Sequence, residues 1–313
     1  MAPAWLMTAL KGFAMGAADI VPGVSGGTIA LVMGIYERLV RNVERGSKAL
    51  GRLAKGNVGG FIGGMRSVEW SFLIPLGIGI LVAVGLLSSI IEQQLHDRPE
   101  TMAGLFFGLV LGSVVVALGE IQRWSTLMVV IGVVVTVAAF VLLGLQSAPT
   151  QDPPLLGYFV AGSIAICAMI LPGISGSFLL LMMGMYAAVL GAVHDRNFAV
   201  LAVFMAGAVV GLALFSSLLG WLLDTYHGEL LAGLIGLMLG SLRVLWPWPH
   251  GVGLLGDDET PPVSGTGLGW PEAGTFVAPI VLAIVAFVLV VAVSKLATST
   301  KFEEVHPSVD DRG

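Results

Sequence analysis

The chain has 313 residues, of which 56% are hydrophobic and only 11% are charged, and it contains 43 glycines. A typical soluble protein has about 25% charged residues and about 7% glycine, so this composition excludes a soluble enzyme, a nucleic-acid-binding protein and a disordered chain. The single cysteine, Cys167, cannot form an intrachain disulfide. The composition therefore predicts an all-α polytopic membrane protein, and the 15 prolines with so many glycines indicate that its helices are interrupted.

The first predicted element is an apolar stretch over residues 4–42, which a proline-glycine-serine turn interrupts in its middle. A second stretch of this kind covers residues 155–193. Each stretch can either cross the membrane once as a broken helix or enter and return as a re-entrant hairpin. A simple span needs about 20 apolar residues. Six runs meet that length, near residues 71–92, 102–119, 126–146, 198–223, 230–246 and 276–295.

The basic residues decide between the two possibilities. If both broken stretches are hairpins, one membrane side receives nine of them: Arg41, Arg45, Lys48, Arg52, Lys55, Arg66, Arg123, Lys295 and Lys301. The other side then receives only Arg98 and Arg196 in its loops, with Arg243 near a helix end. Because cytoplasmic loops carry the excess of Lys and Arg, we expect two hairpins, six spans and both termini in the cytoplasm.

A basic segment over residues 43–66 lies between the first hairpin and the first span. Six basic residues, the first two of which precede the segment, follow one another at spacings of 3, 4, 3, 4 and 3, which places them on one face of a helix. They are Arg38, Arg41, Arg45, Lys48, Arg52 and Lys55. The segment is predicted to be a helix on the anionic inner leaflet. The alternative is a funnel that collects phosphate head groups.

The two broken stretches are copies of one another. Residues 17–40 read AADIVPGVSGGTIALVMGIYERLV, and residues 167–190 read CAMILPGISGSFLLLMMGMYAAVL. Later, GLVLGS at 108–113 matches GLMLGS at 236–241 at the smaller offset of 128, because the first copy carries the basic segment. Each half is therefore one re-entrant hairpin plus three spans. Three is odd, so the halves are predicted to be inverted-topology repeats, as in many secondary transporters. The first repeat is 1–147, the second is 148–296, and 297–313 forms a tail.

The duplicated turns have the chemistry of an anion site. A glycine- and serine-rich turn that opens into a helix presents free amides at the positive end of the helix dipole, and irregular backbone at membrane depth must be buried or line a cavity. Charges at depth are few, and such charges are functional candidates. Lys11 and Arg243 are predicted to face a phosphate, whereas Asp19 would repel one and is either a proton carrier or a cap on the turn. Zinc-protease, Walker and Cys/His motifs are missing from the sequence, so we expect neither an enzyme activity nor a cofactor or metal.

The segment KGFAMGAADIVPGVSGGTIALVMGIYERL at 11–39, the turn ILPGISGSFLLLMMGMY and GSLRVLWPW at 240–248 resemble the bacterial polyprenyl-phosphate transporter family. This resemblance implies return of undecaprenyl phosphate from the outer to the inner leaflet of the plasma membrane for cell-envelope synthesis. The role of Asp19 as a proton carrier would make protons the coupling ion. The resemblance also implies a substrate site at the residues that match the family's motifs: Lys11, Asp19, Pro22, Gly23, Ser25, Gly26, Gly27, Thr28, Pro172, Gly173, Ser175, Gly176, Ser177 and Arg243.

Two other functions stay open at this point. Integral undecaprenyl-pyrophosphate phosphatases carry a turn similar to PGVSGGT, but this chain lacks their arginine-serine insert and a glutamate-rich helix, so hydrolysis would lack its phosphate clamp and its carboxylates. A carrier of a small soluble anion fits the two turns equally well.

Overall fold

The computed structural model describes residues 3–21, 23–145, 150, 152–248, 268–272 and 274–305, with residues 54 and 296–305 described by backbone alone. All regular structure in these residues is helical, which confirms the predicted all-α class. The described helices are α1 Ala4–Asp19, α2 Gly26–Val32, α3 Tyr36–Ala54, α4 Val58–Arg66, α5 Trp70–Asp97, α6 Pro99–Glu120, α7 Thr126–Leu142, α8 Leu155–Ile170, α9 Gly176–Met182, α10 Tyr186–His194, α11 Phe198–Thr225, α12 His227–Ser241 and α13 Val277–Val305.

Four of these helices, α5, α6, α11 and α13, are long and apolar enough to cross a bilayer. The chain is therefore a multi-pass membrane protein. The other two predicted spans correspond to the shorter apolar helices α7 and α12, which have 17 and 15 residues. Helix α12 ends at Ser241 rather than near residue 246, because the amides of Arg243, Val244 and Leu245 bond to carbonyls three residues back. This tighter winding is a common way to end a helix, and Pro247 follows it.

Each broken stretch folds as three consecutive helices, α1 to α3 in the first and α8 to α10 in the second. The chain turns at equivalent glycines in both. Gly23 and Gly173 have φ of 86° and 89°, and Gly34 and Gly184 have φ of 64° and 67°. Glycine adopts this left-handed region without steric cost, so the glycine spacing of the motif fixes both turns. Helices α9 and α10 meet at an angle of 110°.

The helix bounds near the basic segment differ from the predicted segment bounds. Helix α3 begins inside the first broken stretch, at Tyr36, and continues through the residues assigned to the surface helix. The segment then breaks into α3 and α4, because Gly56 has φ of 76° and Asn57 caps α4 by accepting a hydrogen bond from the amide of Gly60 at 2.7 Å. The basic stripe is therefore anchored directly to the first broken stretch.

Close backbone contacts at glycine join the helices in pairs. Helix α1 packs along α5 and α8 packs along α11. A Cβ atom at Gly79 of α5 would strike the Ala9 carbonyl of α1, and one at Gly207 of α11 would strike the Phe159 carbonyl of α8. Small residues permit such close approach between membrane helices.

The third spans exchange partners between the halves. Helix α13 packs along α6, and α7 packs along α12. A Cβ atom at Gly108 of α6 would strike the Ala283 carbonyl of α13, and one at Gly236 of α12 would strike the Gly132 carbonyl of α7. The last span of each predicted repeat therefore packs on a helix of the other predicted repeat.

Candidate functional site

The first turn is closed by its own side chains. The carboxylate of Asp19 accepts a hydrogen bond from the amide of Gly26 at 2.6 Å, and the hydroxyl of Ser25 accepts one from the amide of Gly27 at 3.1 Å. Ser25 is thus the N-cap of α2, a role that serine fills well because its oxygen reaches the free amides of the first helical turn. The Ser25 hydroxyl also donates to the carbonyl of Met169 at 3.4 Å, in the second half.

The two turns touch each other in the interior of the protein. The hydroxyl of Thr28, which is fully buried, accepts a hydrogen bond from the amide of Gly173 at 2.9 Å. A Cβ atom at Gly27 would lie 2.8 Å from the carbonyl oxygen of Ile170. These contacts bring together two turns that are about 150 residues apart in sequence.

The second turn differs from the first in its chemistry. Its N-cap, Ser175, makes no side-chain cap bond, and its hydroxyl lies 2.8 Å from that of Ser177. Met169 occupies the position equivalent to Asp19. A Cβ atom at Gly176 would lie 2.8 Å from the Met169 side chain, just as one at Gly26 would lie 2.5 Å from the Asp19 carboxylate. The same backbone arrangement therefore holds a carboxylate over one glycine and a thioether over the other.

Lys11 lies at the opposite end of α2 from these amides. Its ammonium group donates to the carbonyl of Met33, 3.3 Å away, where α2 ends. A cation is favoured there, because the last carbonyls of a helix carry partial negative charge. A helix of seven residues is about 10 Å long, so the structure separates Lys11 from the turn amides by the length of α2.

Arg243 contacts α7. Its guanidinium group donates to the carbonyl of Phe140 at 3.1 Å and lies 4.8 Å from the centre of the Phe140 ring, on α7. Its neighbours Val244 and Leu245 do reach the first turn, since a Cβ atom at Gly23 would lie 2.9 Å from Val244 and 3.3 Å from Leu245. Of the remaining predicted site residues, Pro172 is fully buried and Pro22 lies outside the described residues.

A cluster of charged residues lies at the start of α3, where the sequence predicts a helix on the membrane surface or, alternatively, a funnel for phosphate head groups. We call it the mouth cluster. Glu69 bonds both Arg38 at 2.7 Å and Arg45 at 3.0 Å, and Arg41 bonds Asp224 at 2.8 Å. The hydrogen bond from Arg38 lowers the pKa of the Glu69 carboxyl, and the bond to Asp224 raises the pKa of Arg41. The spacing of the arginines predicts that they lie on one face of a helix, but it does not predict their partners Glu69 and Asp224, which lie far away in the sequence.

Among the residues that the structure describes, no three His, Cys, Asp or Glu side chains are placed to hold a metal ion. The hydrogen-bond donors of the paired turns are amides and hydroxyls, whereas the Asp19 carboxylate only accepts. Such donors suit the binding of an anion by hydrogen bonds.

A family model described as undecaprenyl phosphate translocase-like matches residues 15–260. The chain belongs to this family. A polyprenyl-phosphate transporter of Vibrio cholerae is 44% identical over 247 residues, which cover 78% of this chain and 78% of that protein. A polyprenyl-phosphate transporter of Staphylococcus aureus is 32% identical over 257 residues, which cover 76% of this chain and 85% of that protein. No solved structure matches the chain significantly.

Membership confirms the resemblance drawn from the two turn motifs. Both relatives carry the name of a transporter, and the chain is accordingly assigned to a transporter family rather than to a family of enzymes. The matched range includes both turns and the segment that carries Arg243.

Proposed function

We propose that this protein carries polyprenyl phosphate across the plasma membrane, returning the lipid from the outer to the inner leaflet for cell-envelope synthesis. The observation that supports this most is the buried bond between Thr28 and Gly173, which joins the two anion-binding turns. The names of the relatives supply the substrate class. A charged group at the bilayer centre costs from about 3 to more than about 10 kcal/mol, and paired turns can replace the water that a phosphate loses there.

The two halves are proposed to be inverted repeats, with residues 4–42 and 155–193 as re-entrant hairpins. Their glycines share φ values, and equivalent contacts recur at Gly79 and Gly207 and at Gly108 and Gly236, always 128 residues apart. An odd number of spans in each half inverts the second half. Broken helices of inverted halves typically form the substrate site near the midplane.

The substrate site is proposed to lie at the paired turns, and the second turn is its open side. There no carboxylate competes for the amides at the start of α9, because Met169 stands where the first turn has Asp19, and the bonded pair of Ser175 and Ser177 hydroxyls retains one hydrogen for the phosphate. In the first turn Asp19 holds the amide of Gly26. Lys11 and Arg243 would reach the head group after the halves rock, since in this conformation they bond the carbonyls of Met33 and Phe140.

Asp19 offers a route for proton coupling. An ionised carboxylate and a phosphate compete for the same amide donor at Gly26. Protonation removes the negative charge of Asp19 and weakens its hold on that amide, so the phosphate can take its place. Release of the phosphate and of the proton would then restore the closed turn.

The proposal is tested in proteoliposomes with two readouts. One follows the leaflet exposure of polyprenyl monophosphate, and the other follows phosphate release from polyprenyl pyrophosphate. We expect leaflet exchange without phosphate release. Release of phosphate would identify a phosphatase instead, and movement of a soluble anion without lipid movement would identify a small-anion carrier.

The proposed orientation has a separate test. Cys167 is the single cysteine, so a Cys167→Ala background accepts one new cysteine within residues 257–260. That cysteine should react with an impermeant thiol reagent added outside intact cells. Reaction only after permeabilisation would contradict hairpins at 4–42 and 155–193 with both termini in the cytoplasm.

A further inference from the structure

A polar cleft opens beside the mouth cluster, at the far end of α2 from the paired turns. Its volume is about 540 Å³, and Leu31 and Leu231 lie in its lining together with the arginines of α3. The arginines that line it are Arg38, Arg41 and Arg45. Residues at spacings of three and four lie on one face of a helix, so the three guanidinium groups share this face of α3.

A tyrosine with a buried hydroxyl lines the same cleft. Tyr36 is only 2% exposed, and its hydroxyl has no hydrogen-bond partner among the described residues. Leaving a buried hydroxyl without a partner costs about 1–3 kcal/mol. A ligand in the cleft that accepts its hydrogen bond, once the side chain turns toward it, would remove this cost.

The arginines are held by carboxylates that a phosphate can displace. Arg41 is 38% exposed and its partner Asp224 is 61% exposed, while Arg38 and Glu69 are 50% and 37% exposed. Exposed ion pairs of this kind are individually weak. A phosphate monoester carries more charge than a carboxylate and accepts bidentate bonds from the planar arginine fork. The carboxylates therefore occupy the arginines until a stronger acceptor arrives.

We propose that this cleft is a second phosphate site, which binds a phosphate monoester head group at the membrane surface through Arg38, Arg41, Arg45 and Tyr36. This inference rests on the proposed function, because it assigns the cleft to the entry or exit of the transported head group. The prenyl tail would lie toward Leu31 and Leu231.

The acidic residues of the lining make this a site of rapid exchange. Glu37, Glu69 and Glu120 line the cleft with the three arginines, so opposite charges are balanced there. Glu37 is held by His227 at 2.6 Å and Glu69 by two arginines. These carboxylates compete with a bound phosphate and limit its affinity. A transported lipid needs such a site, because a head group bound too tightly at the surface would not leave.

The site is tested by hydrogen–deuterium exchange on the full-length protein in nanodiscs. The probes are polyprenyl monophosphate and, separately, inorganic phosphate. Polyprenyl monophosphate should slow exchange in residues 34–45, and Arg41→Gln should weaken its apparent affinity there by about tenfold or more. Tyr36→Phe removes only a hydroxyl and should weaken the affinity by several-fold. Protection by inorganic phosphate at equal concentration would assign the same site to a soluble ligand.

Arg52 provides the matched control. It lies on the same helix, bonds the Gly60 carbonyl at 3.2 Å and does not line the cleft. Arg52→Gln should leave the affinity unchanged within about twofold. Equal losses for Arg41→Gln and Arg52→Gln would overturn the proposal, because they would indicate a general attraction to the basic stripe. Saturation of the protection by phosphatidylglycerol alone would also overturn it.

The same experiment separates this proposal from that of transport. Protection of residues 34–45 that depends on Arg41, in a protein that moves no lipid, would keep the cleft as a phosphate site and refute transport. Leaflet exchange that Arg41→Gln leaves unchanged, without any protection of residues 34–45, would keep transport and refute the cleft.

Discussion

Replacing Thr28 by valine should loosen the contact between the two turns. Valine has nearly the shape of threonine, so the substitution leaves no cavity, but it removes the acceptor for the Gly173 amide. Both groups are buried, and no water replaces the lost oxygen. Thr28→Ser restores the hydroxyl and should recover most of the lost function.

The size of the effect follows from that geometry. Interhelical hydrogen bonds in membrane proteins contribute about 0.6 kcal/mol on average and about 1.7 kcal/mol at most. A buried donor left without a partner costs about 1–3 kcal/mol. The bond at 2.9 Å is well placed and its donor is a main-chain amide, so we expect a loss of about 1–2 kcal/mol. That loss shifts the equilibrium between joined and separated turns by about 5- to 30-fold.

The assay combines unfolding in mixed micelles with lipid transport in proteoliposomes. Thr136→Val is the matched control, because the Thr136 hydroxyl donates at 2.7 Å to Gly132 within its own helix and joins no turns. The control should retain transport and lose less stability. The reasoning would be refuted if Thr28→Val kept both the wild-type free energy of unfolding and the wild-type transport rate.

Three further predictions follow from the same contacts. Gly27→Val should push the turns apart and abolish transport, whereas Gly85→Val, which meets no atom within 4 Å, should transport normally; equal rates would contradict a joined cradle. Gly108→Val should lower the free energy of unfolding in mixed micelles by about 1–3 kcal/mol, because the new side chain overpacks against α13. Its control on the same helix, Gly119→Val, points into open space and should change the free energy of unfolding by no more than about 0.5 kcal/mol. The bond from Arg38 lowers the pKa of Glu69, so the ion pairs of Glu69 persist above its ordinary pKa of 4.5 and are lost as the pH falls through the lowered pKa. The difference in melting temperature between wild type and Glu69→Gln should therefore be constant from about pH 8 to about pH 5. A change within that range would contradict the assignment.

Local features of the site could be predicted from the sequence because each is encoded within a few residues. The spacing of Gly23 and Gly34, repeated at Gly173 and Gly184, determines where the chain turns. One of the two roles predicted for Asp19, that of a cap on the turn, agrees with its hydrogen bond from the amide of Gly26. These are short-range properties, in which backbone conformation and nearby donors decide the outcome.

Long-range partners could not be predicted in the same way. Arg243 turns toward Phe140 because α7 packs on α12, and nothing near Arg243 in the sequence reports that packing. The sequence predicts that the arginines of α3 face lipid, because Asp224, the partner of Arg41, lies far along the chain. A motif predicts which groups a turn presents, but the tertiary fold decides which charges reach it.

The exchange of third spans has a consequence for how the protein is made. Helix α6 ends at Glu120, yet its glycine face is covered by α13, which begins at Val277. During synthesis the ribosome must complete almost the whole second half before the first half can close. Until then, α6 presents a small-residue face to lipid or to an insertase. A chain truncated before Val277 would therefore keep this face of α6 uncovered, and its first half would not close.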